Sequence, residues 1–449
     1  MSATAESRRT RGHLLKILGI TFGVAVAVGN MIGSGILRAP ASIAGTVPDI
    51  TLIIALWVLG GLHVALSINV LAELGTAVPQ SGGPYLYAHR AFGDVAGLVV
   101  GWSAWMSKLA GIASASIAAA EFLPLIWPAA AGYKLAVALL VQFLIYGTNA
   151  LGLREGRAIQ EGTSLIKTLM LLAFVGAAIA VAVPEPAAAP AAVSAANALG
   201  WVAIIGAYAL IKGAYSGYDA PVYFTEENEA PSVSVPWALG IGLLTSFILY
   251  IAVNGGLIYA LGLKGVAATP LPFSTILDRL GGSLPGLLFA AGAIITVTGV
   301  VNAGVMSAPR ILFALSRDRL LPGIFRSVNR GGSPDVAVLM TAVCSLALAA
   351  TGSFALVFGL IALMDTVGAV LIDSAFFVLR RREPELVRPF RARGYPLLPA
   401  LLLAVDLVLL VLFAASDHLG LGFAVVLTLA SILFAMAARR ARNMNAAKG

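Results

Sequence analysis

The stretch "VGNMIGSGILRAP", Val28 to Pro40, lies in the first long apolar run of the chain and reads badly as a continuous membrane helix. It places glycines at 29, 33 and 35 and leaves Asn30 and Ser34 where a polar side chain would find no water. Opening a helix inside a bilayer strips backbone N–H and C=O groups of their partners at several kcal/mol each, so such a break survives only where protein, a cavity or a ligand satisfies it.

The membrane setting follows from composition. With 449 residues, 59% of them hydrophobic, 11% charged and a mean hydropathy of +0.93, the chain has too few charges to cover a soluble surface. A crossing helix needs about 20 apolar residues. Such runs fall near 17–38, 50–75, 94–120, 132–151, 159–183, 199–223, 236–262, 285–315, 336–351, 354–379, 396–415 and 419–438. The expectation is an all-α polytopic protein with 12 transmembrane helices and no soluble domain. The basic N-terminal "MSATAESRRTRGHLLK" precedes an apolar run without a small-residue cleavage site, and the run reads as a retained first helix.

The net charge of +8 is a topology signal, not a nucleic-acid signature. Of 29 Lys and Arg, 22 fall at the termini or in the even-numbered loops, four (Arg38, Lys134, Lys264, Arg279) fall in the other loops, and three (Lys108, Lys167, Lys212) lie inside helices. Cations concentrate on the cytoplasmic side. Both termini are therefore expected there, in a multi-pass protein of the cytoplasmic (inner) membrane. Cys344, the single cysteine, sits in an apolar run, so neither a disulfide to a heavy chain nor a thiolate metal site is expected. His13, His63, His89 and His418 are scattered without ligand spacing, and no metal, cofactor or catalytic cluster is expected.

A second irregular run, "ALIKGAYSGYDAPVYFTEENEAP", follows the Ala/Pro-rich loop 184–197 and carries Gly213, Ser216, Gly217, Asp219 and Pro221 within a span. The first and sixth runs are thus interrupted at matching places, five helices apart. A shift by an odd number of crossings reverses direction, which makes the halves inverted repeats, and paired interrupted helices point to a transporter's substrate site. The expected division is a tail at 1–16, repeats at 17–183 and 199–379, helices 11 and 12 within 396–438, and a tail at 439–449.

Chemistry at the breaks suggests a cargo. Gly33, Ser34 and Gly35 can turn N–H groups toward one point at the positive end of the half-helix that follows, an arrangement for a carboxylate. The carbonyls of the half-helices ending around Val28 to Ile32 and at Gly213 to Tyr215 suit an ammonium group. A carboxylate and an ammonium one carbon apart define an α-amino acid. The same glycines would also serve close helix packing; two breaks in register favour binding.

The motifs then resemble a known family. "GNMIGSGIL", "AELGTAVPQSGGPYLYAHRAFG", "AYSGYDAPVYFTEE", "SRDRLLPGIF" and "RPFRARGYPLLPAL", spread over most of the chain, are similar to segments of the amino acid–polyamine–organocation superfamily, and within it of bacterial L-type amino acid transporters. The resemblance implies a LeuT-type fold of two inverted five-helix repeats plus two helices, with alternating access. It implies a substrate carboxylate at Gly33, Ser34 and Gly35. It also implies an amine and pocket region formed by Asn30, Ile32, Gly213, Ala214, Tyr215, Ser216, Gly217 and Tyr218. Gly213 stands where many L-type relatives carry an aromatic gate, and Tyr218 where they carry tryptophan, which leaves side-chain specificity open.

An unpaired charge inside a membrane costs at least about 2.5 kcal/mol, so intramembrane lysines call for partners. The resemblance implies that Lys167 replaces a bound sodium ion, bridging helix 1 near Gly29 to hydroxyls of helix 8, with Thr296 and Thr298 as candidates. A fixed cation would give a sodium-independent exchanger or uniporter, a titrating one proton coupling, and a snorkelling one neither. Lys108 and Lys212 have Asp219 and Asp365 as possible counter-charges, while Lys212 reaching the pocket would favour an acidic or polar substrate side chain. Asn302 and Tyr218 are either path-lining or core residues, and Glu226 and Glu227 either a gate or a solvated helix end.

The resulting expectation is a non-enzymatic amino acid transporter, monomeric or homodimeric in the bilayer, with no nucleic-acid partner. A polyamine carrier or a substrate sensor on the same fold are the alternatives.

Overall fold

The computed structural model describes residues 16, 18–151, 153–181, 200–269, 271–281, 284–329, 332–352, 354–416 and 418–446. The loop at 184–197, nearly all of the 1–16 tail, His13 and the end of the C-terminal tail lie outside the described residues.

The first crossing is two helices, α1 (Ile20–Met31) and α2 (Ser34–Thr46). Then come α3 (Ile50–Ala77), a short α4 (Tyr85–Phe92), α5 (Asp94–Phe122), α6 (Lys134–Leu151) and α7 (Leu153–Ala180). After the loop, α8 (Trp201–Tyr215) gives way to a 3-10 helix (Ala220–Glu227). The chain continues through α9 (Pro231–Ala267), α10 (Pro272–Arg279), α11 (Leu284–Arg317), α12 (Asp335–Ala350), α13 (Phe354–Arg382), α14 (Leu397–Ser416) and α15 (His418–Ala446).

Among the described residues, nine helical segments are long and apolar enough to cross a membrane, α1 and α2 counting together. The sixth, ninth and twelfth expected runs hold shorter helices: α8, α12 and the 420–436 part of α15. In the sixth run the cause is local. Gly217 takes a left-handed φ of 93°, and Pro221 supplies no N–H for an α-helical bond.

Polar side chains of the helices turn inward, and apolar ones both fill the core and face outward. On α7, Gln160, Ser164 and Lys167, spaced four and three residues apart, form one buried face, while Leu165, Leu169 and Leu172 are exposed. The outward leucines are the surface a bilayer would cover. At the centre, α5 packs against α6, α11, α12, α13 and α15.

The two broken crossings run in opposite directions. Leu18 N–H donates to the Glu227 carbonyl (3.1 Å) and Glu229 N–H to the Leu18 carbonyl (2.9 Å), so the chain enters the first at the end where it leaves the second. At mid-depth the breaks abut: a Cβ on Gly35 would lie 2.7 Å from Ala214 Cα, and one on Gly217 would lie 2.5 Å from Asn30 Cβ. Because Gly35 faces a backbone atom, no rotamer change can relieve a larger side chain. Gly35→Val is expected to destabilise the protein by about 1–3 kcal/mol, as overpacking does, and to weaken ligand binding with it. Thermal unfolding in detergent, followed by a binding titration, checks both.

Candidate functional site

The first break is a two-residue gap. The helix ends as Ile32 N–H donates to the Val28 carbonyl (2.9 Å), Gly33 is extended, and α2 restarts at Ser34 without a side-chain cap. The opening N–H groups of a helix have no partner within it, and here they lie in the protein interior, with Ser34 and Gly35 buried.

On the other side of the gap, the carbonyls left over at the end of α1 are taken by distant helices. Lys167 Nζ, 0% exposed, donates to the carbonyls of Gly29 (2.9 Å) and Ile32 (2.9 Å) on the first crossing and of Thr296 (3.0 Å) on α11. One turn away, Ser164 Oγ donates to the Ala25 carbonyl (2.7 Å). Gly29 makes this approach possible, since any Cβ there would collide with the Gln160 amide. The hydroxyls expected around Lys167 take no part: Thr296 contributes its main-chain oxygen while its side chain faces Met170 Sδ, and no hydrogen bond links Thr298 to Lys167 among the described residues.

Sequence reasoning missed Tyr250 of α9. Its hydroxyl lies 2.5 Å from the Met31 carbonyl oxygen and 2.8 Å from that of Ala214, so one O–H proton spans both breaks. A tyrosine in an apolar run carries no distinguishing signal. At the second break Ser216 N–H closes onto the Gly213 carbonyl (3.2 Å).

Between the breaks lies a cavity of ≈ 50 Å³. Of the residues expected there, Asn30, Gly33, Ser34, Gly35, Gly213, Ala214, Ser216 and Gly217 line it, whereas Ile32, Tyr215 and Tyr218 do not. Asn30 Nδ2 is buried with no acceptor among the described residues. The third wall, Ser107, Lys108, Gly111 and Ser114 of α5, was legible only as a small, polar stripe at spacings of four and three.

The intramembrane charges sort themselves by partner. Lys108 Nζ donates to Asp219 Oδ1 (2.9 Å), Tyr223 Oη donates to Asp219 Oδ2 (2.9 Å), and the Ser216 hydroxyl donates to Asp365. Lys212 points away from the cavity and donates to Asp406 Oδ1 on α14 (3.1 Å), which removes the geometric basis for its selecting an acidic substrate. Asp406, in the apolar "LLLAVDLVLLVLF", is the counter-charge the sequence reading passed over. Asn302 is a core residue, bonded to Asn149 (2.8 Å), Gln160 (3.0 Å) and the Gly156 carbonyl (3.0 Å).

At the end where α1 begins, the structure is closed. Arg310 clamps Glu227 through two bonds (2.5 and 2.6 Å), with Glu227 0% exposed, and Arg317 Nη1 (2.8 Å) and Ser81 N–H (2.9 Å) both donate to Glu226. Glu227 is buried in its ion pair, while Glu226 is paired but 34% exposed.

Tyr250→Phe keeps the aromatic packing but leaves two buried carbonyls without a donor, at about 1–3 kcal/mol for an unsatisfied group. It is expected to weaken ligand affinity roughly tenfold or more by loosening both breaks, as calorimetric titration would show.

Compared with known proteins, the chain matches the amino acid permease family over residues 20–437. It is 25% identical to the branched-chain amino acid permease BcaP of Bacillus subtilis (strain 168), over 86% of this chain and 85% of the relative. It is 24% identical to the methylthioribose transporter of the same organism (94% and 93% covered) and 23% identical to its serine/threonine exchanger SteT (93% and 96% covered). Their cargoes differ, so the pocket of this chain must argue for its own.

Proposed function

This chain belongs to the amino acid permease family, and from that premise we propose that it exchanges small neutral α-amino acids across the cytoplasmic membrane by alternating access, without sodium. The observation that carries the reading is the cavity between the two breaks. The unpartnered N–H groups at the start of α2 and the free Asn30 amide supply donors for a carboxylate, and the carbonyl end of α8 faces them across Gly35 and Ala214. A ligand with both groups on one carbon completes both breaks at once.

Size argues for a short side chain. A cavity of ≈ 50 Å³ has room for about three or four waters, enough for the core of an α-amino acid and little beyond it. Ser107, Ser114 and Ser216 give the walls hydroxyls for a polar tip such as that of serine.

Sodium independence rests on Lys167. Its ammonium stands among three carbonyl oxygens at 2.9, 2.9 and 3.0 Å, and a second monovalent cation in that low-dielectric nest would be repelled. The opposed directions of the broken crossings support the LeuT-type arrangement, with inverted repeats at 17–183 and 199–379 and α14 and α15 as helices 11 and 12. The distribution of Lys and Arg supports cytoplasmic termini. The closed Arg310–Glu227 end is then the cytoplasmic gate.

In liposomes, counterflow of labelled alanine or serine is expected to be equal with and without sodium and to be competed by small neutral amino acids but not by tryptophan. A steep sodium requirement defeats the reading. Hydrogen bonds from a charged donor contribute about 1.5–3 kcal/mol each, so Lys167→Ala, which removes three, is expected to lower counterflow at least about a hundredfold.

A further inference from the structure

The segment that links α13 to α14 is lashed to α3 through its backbone. Glu73 of α3, 1% exposed, accepts from Arg380 Nε (2.8 Å) and from the Ala392 N–H (2.6 Å), with Arg388 Nε 3.1 Å away. One turn earlier on α3, Asn69 holds Arg393 in both directions: its Oδ1 accepts from the N–H (2.8 Å) and its Nδ2 donates to the carbonyl (2.9 Å). Thr76 Oγ1 accepts from the Phe390 N–H (3.4 Å). Asn69, Glu73 and Thr76 are four and three residues apart and share one face of α3. The stretch from Phe390 to Arg393 is therefore fixed along that face.

The anchoring presents two arginines that have nothing to hold. Residues 380–393 carry six arginines and two glutamates. Arg380 and Arg388 are taken by Glu73, Arg382 Nη1 donates to the Ala91 carbonyl (2.8 Å), and Arg381 is exposed at the end of α13. Arg391 and Arg393 are exposed on either side of the buried Ala392, and neither guanidinium has a partner among the described residues. Residues two apart in an extended chain project to the same side. Of the two acids, Glu383 takes Arg90 Nε (2.9 Å), and Glu385 lies outside the pinned stretch.

Their place in the fold identifies what they meet. α14 begins at Leu397, four residues after Arg393, and with a mean hydropathy of 2.8 it is the most apolar of the nine candidate crossings. Leu397 is 77% exposed, and Tyr395, Leu398 and Leu401 are exposed beside it. Residues just ahead of a crossing lie among lipid headgroups, and the first outward leucines of the crossing lie against acyl chains. The end of α3 also faces the closed side, because Ser81 N–H, just beyond it, donates to Glu226 (2.9 Å).

We propose that Arg391 and Arg393 form a binding site for the phosphate of an anionic phospholipid, in the leaflet on the side closed by Arg310 and Glu227. Each guanidinium offers paired N–H groups that match two phosphate oxygens. Pinning of the backbone means that little conformational freedom is lost when the pair closes on a headgroup. The adjoining Tyr395 and Leu397 commit the site to a lipid, since a soluble phosphate gains nothing from an apolar surface. The site requires only that α14 crosses the membrane and is independent of the cargo.

The experiment titrates the purified full chain in detergent with phosphatidylglycerol or phosphatidylcholine and counts bound lipids by native mass spectrometry. Wild type is expected to retain phosphatidylglycerol in preference to phosphatidylcholine. Arg391→Gln with Arg393→Gln is expected to weaken phosphatidylglycerol about thirtyfold, at about fivefold for each cation near the surface, and to leave phosphatidylcholine unchanged. Neither side chain is bonded, so this variant should melt at the wild-type temperature. A control, Arg319→Gln with Arg326→Gln, removes the same charge from exposed positions at the same end and is expected to bind as wild type does. The proposal is overturned if wild type does not discriminate between the two lipids, if the Arg391/Arg393 variant retains phosphatidylglycerol as wild type does, or if the control loses as much. Displacement of the lipid by an equal concentration of glycerol 3-phosphate would also overturn it, by showing a soluble phosphate to be the ligand.

Discussion

The contact on which the rest of the structure depends is the Lys167 ammonium set among the carbonyls of Gly29, Ile32 and Thr296. An interrupted helix cannot stand alone in a bilayer, because its orphan carbonyls need donors that lipid lacks. Lys167 supplies them from α7 and ties the first break to α11 in the same act. Its charge is met by oriented carbonyl dipoles instead of a carboxylate. Gly29 is the condition for this, since the α7 face of Gln160, Ser164 and Lys167 can reach the α1 backbone only where there is no Cβ.

The remaining intramembrane charges share a second regularity. Lys108 to Asp219, Lys212 to Asp406 and Arg310 to Glu227 all join the broken sixth crossing to a neighbour, respectively α5, α14 and α11. Buried ion pairs are poor stabilisers, because desolvation offsets most of their attraction, but breaking one is costly. A set of them along one crossing holds it in a defined position and makes intermediate positions unfavourable. That is what a two-position element requires. The same crossing carries Gly217 at positive φ and a 3-10 helix in place of an α-helix.

How much of this the sequence disclosed depended on whether a feature was local. Both breaks were visible, because glycines, a serine and a proline within apolar runs violate a single-helix rule that needs no partner to be recognised. Lys167 was conspicuous for the same reason, and the carbonyl of Gly29 was the expected neighbour. The wrong half of that expectation, the hydroxyls of Thr296 and Thr298, came from assuming that side chains would meet the ammonium when a main-chain oxygen does. Asp406 and His63 went unused because each is one polar residue in its own helix, and only the packing of α3, α8 and α14 brings them to Lys212. The α5 wall was hidden differently, since serine and glycine at helical spacing describe a close-packing face as well as a pocket.

The two breaks are satisfied unequally. On the first, three carbonyls have donors from other helices, two of them from a fixed ammonium. On the second, the Ala214 carbonyl depends on the Tyr250 hydroxyl, whose single proton it shares with Met31. When that proton turns to Met31, the Ala214 carbonyl is left without it. The first break is therefore a fixed floor and the second an incomplete wall.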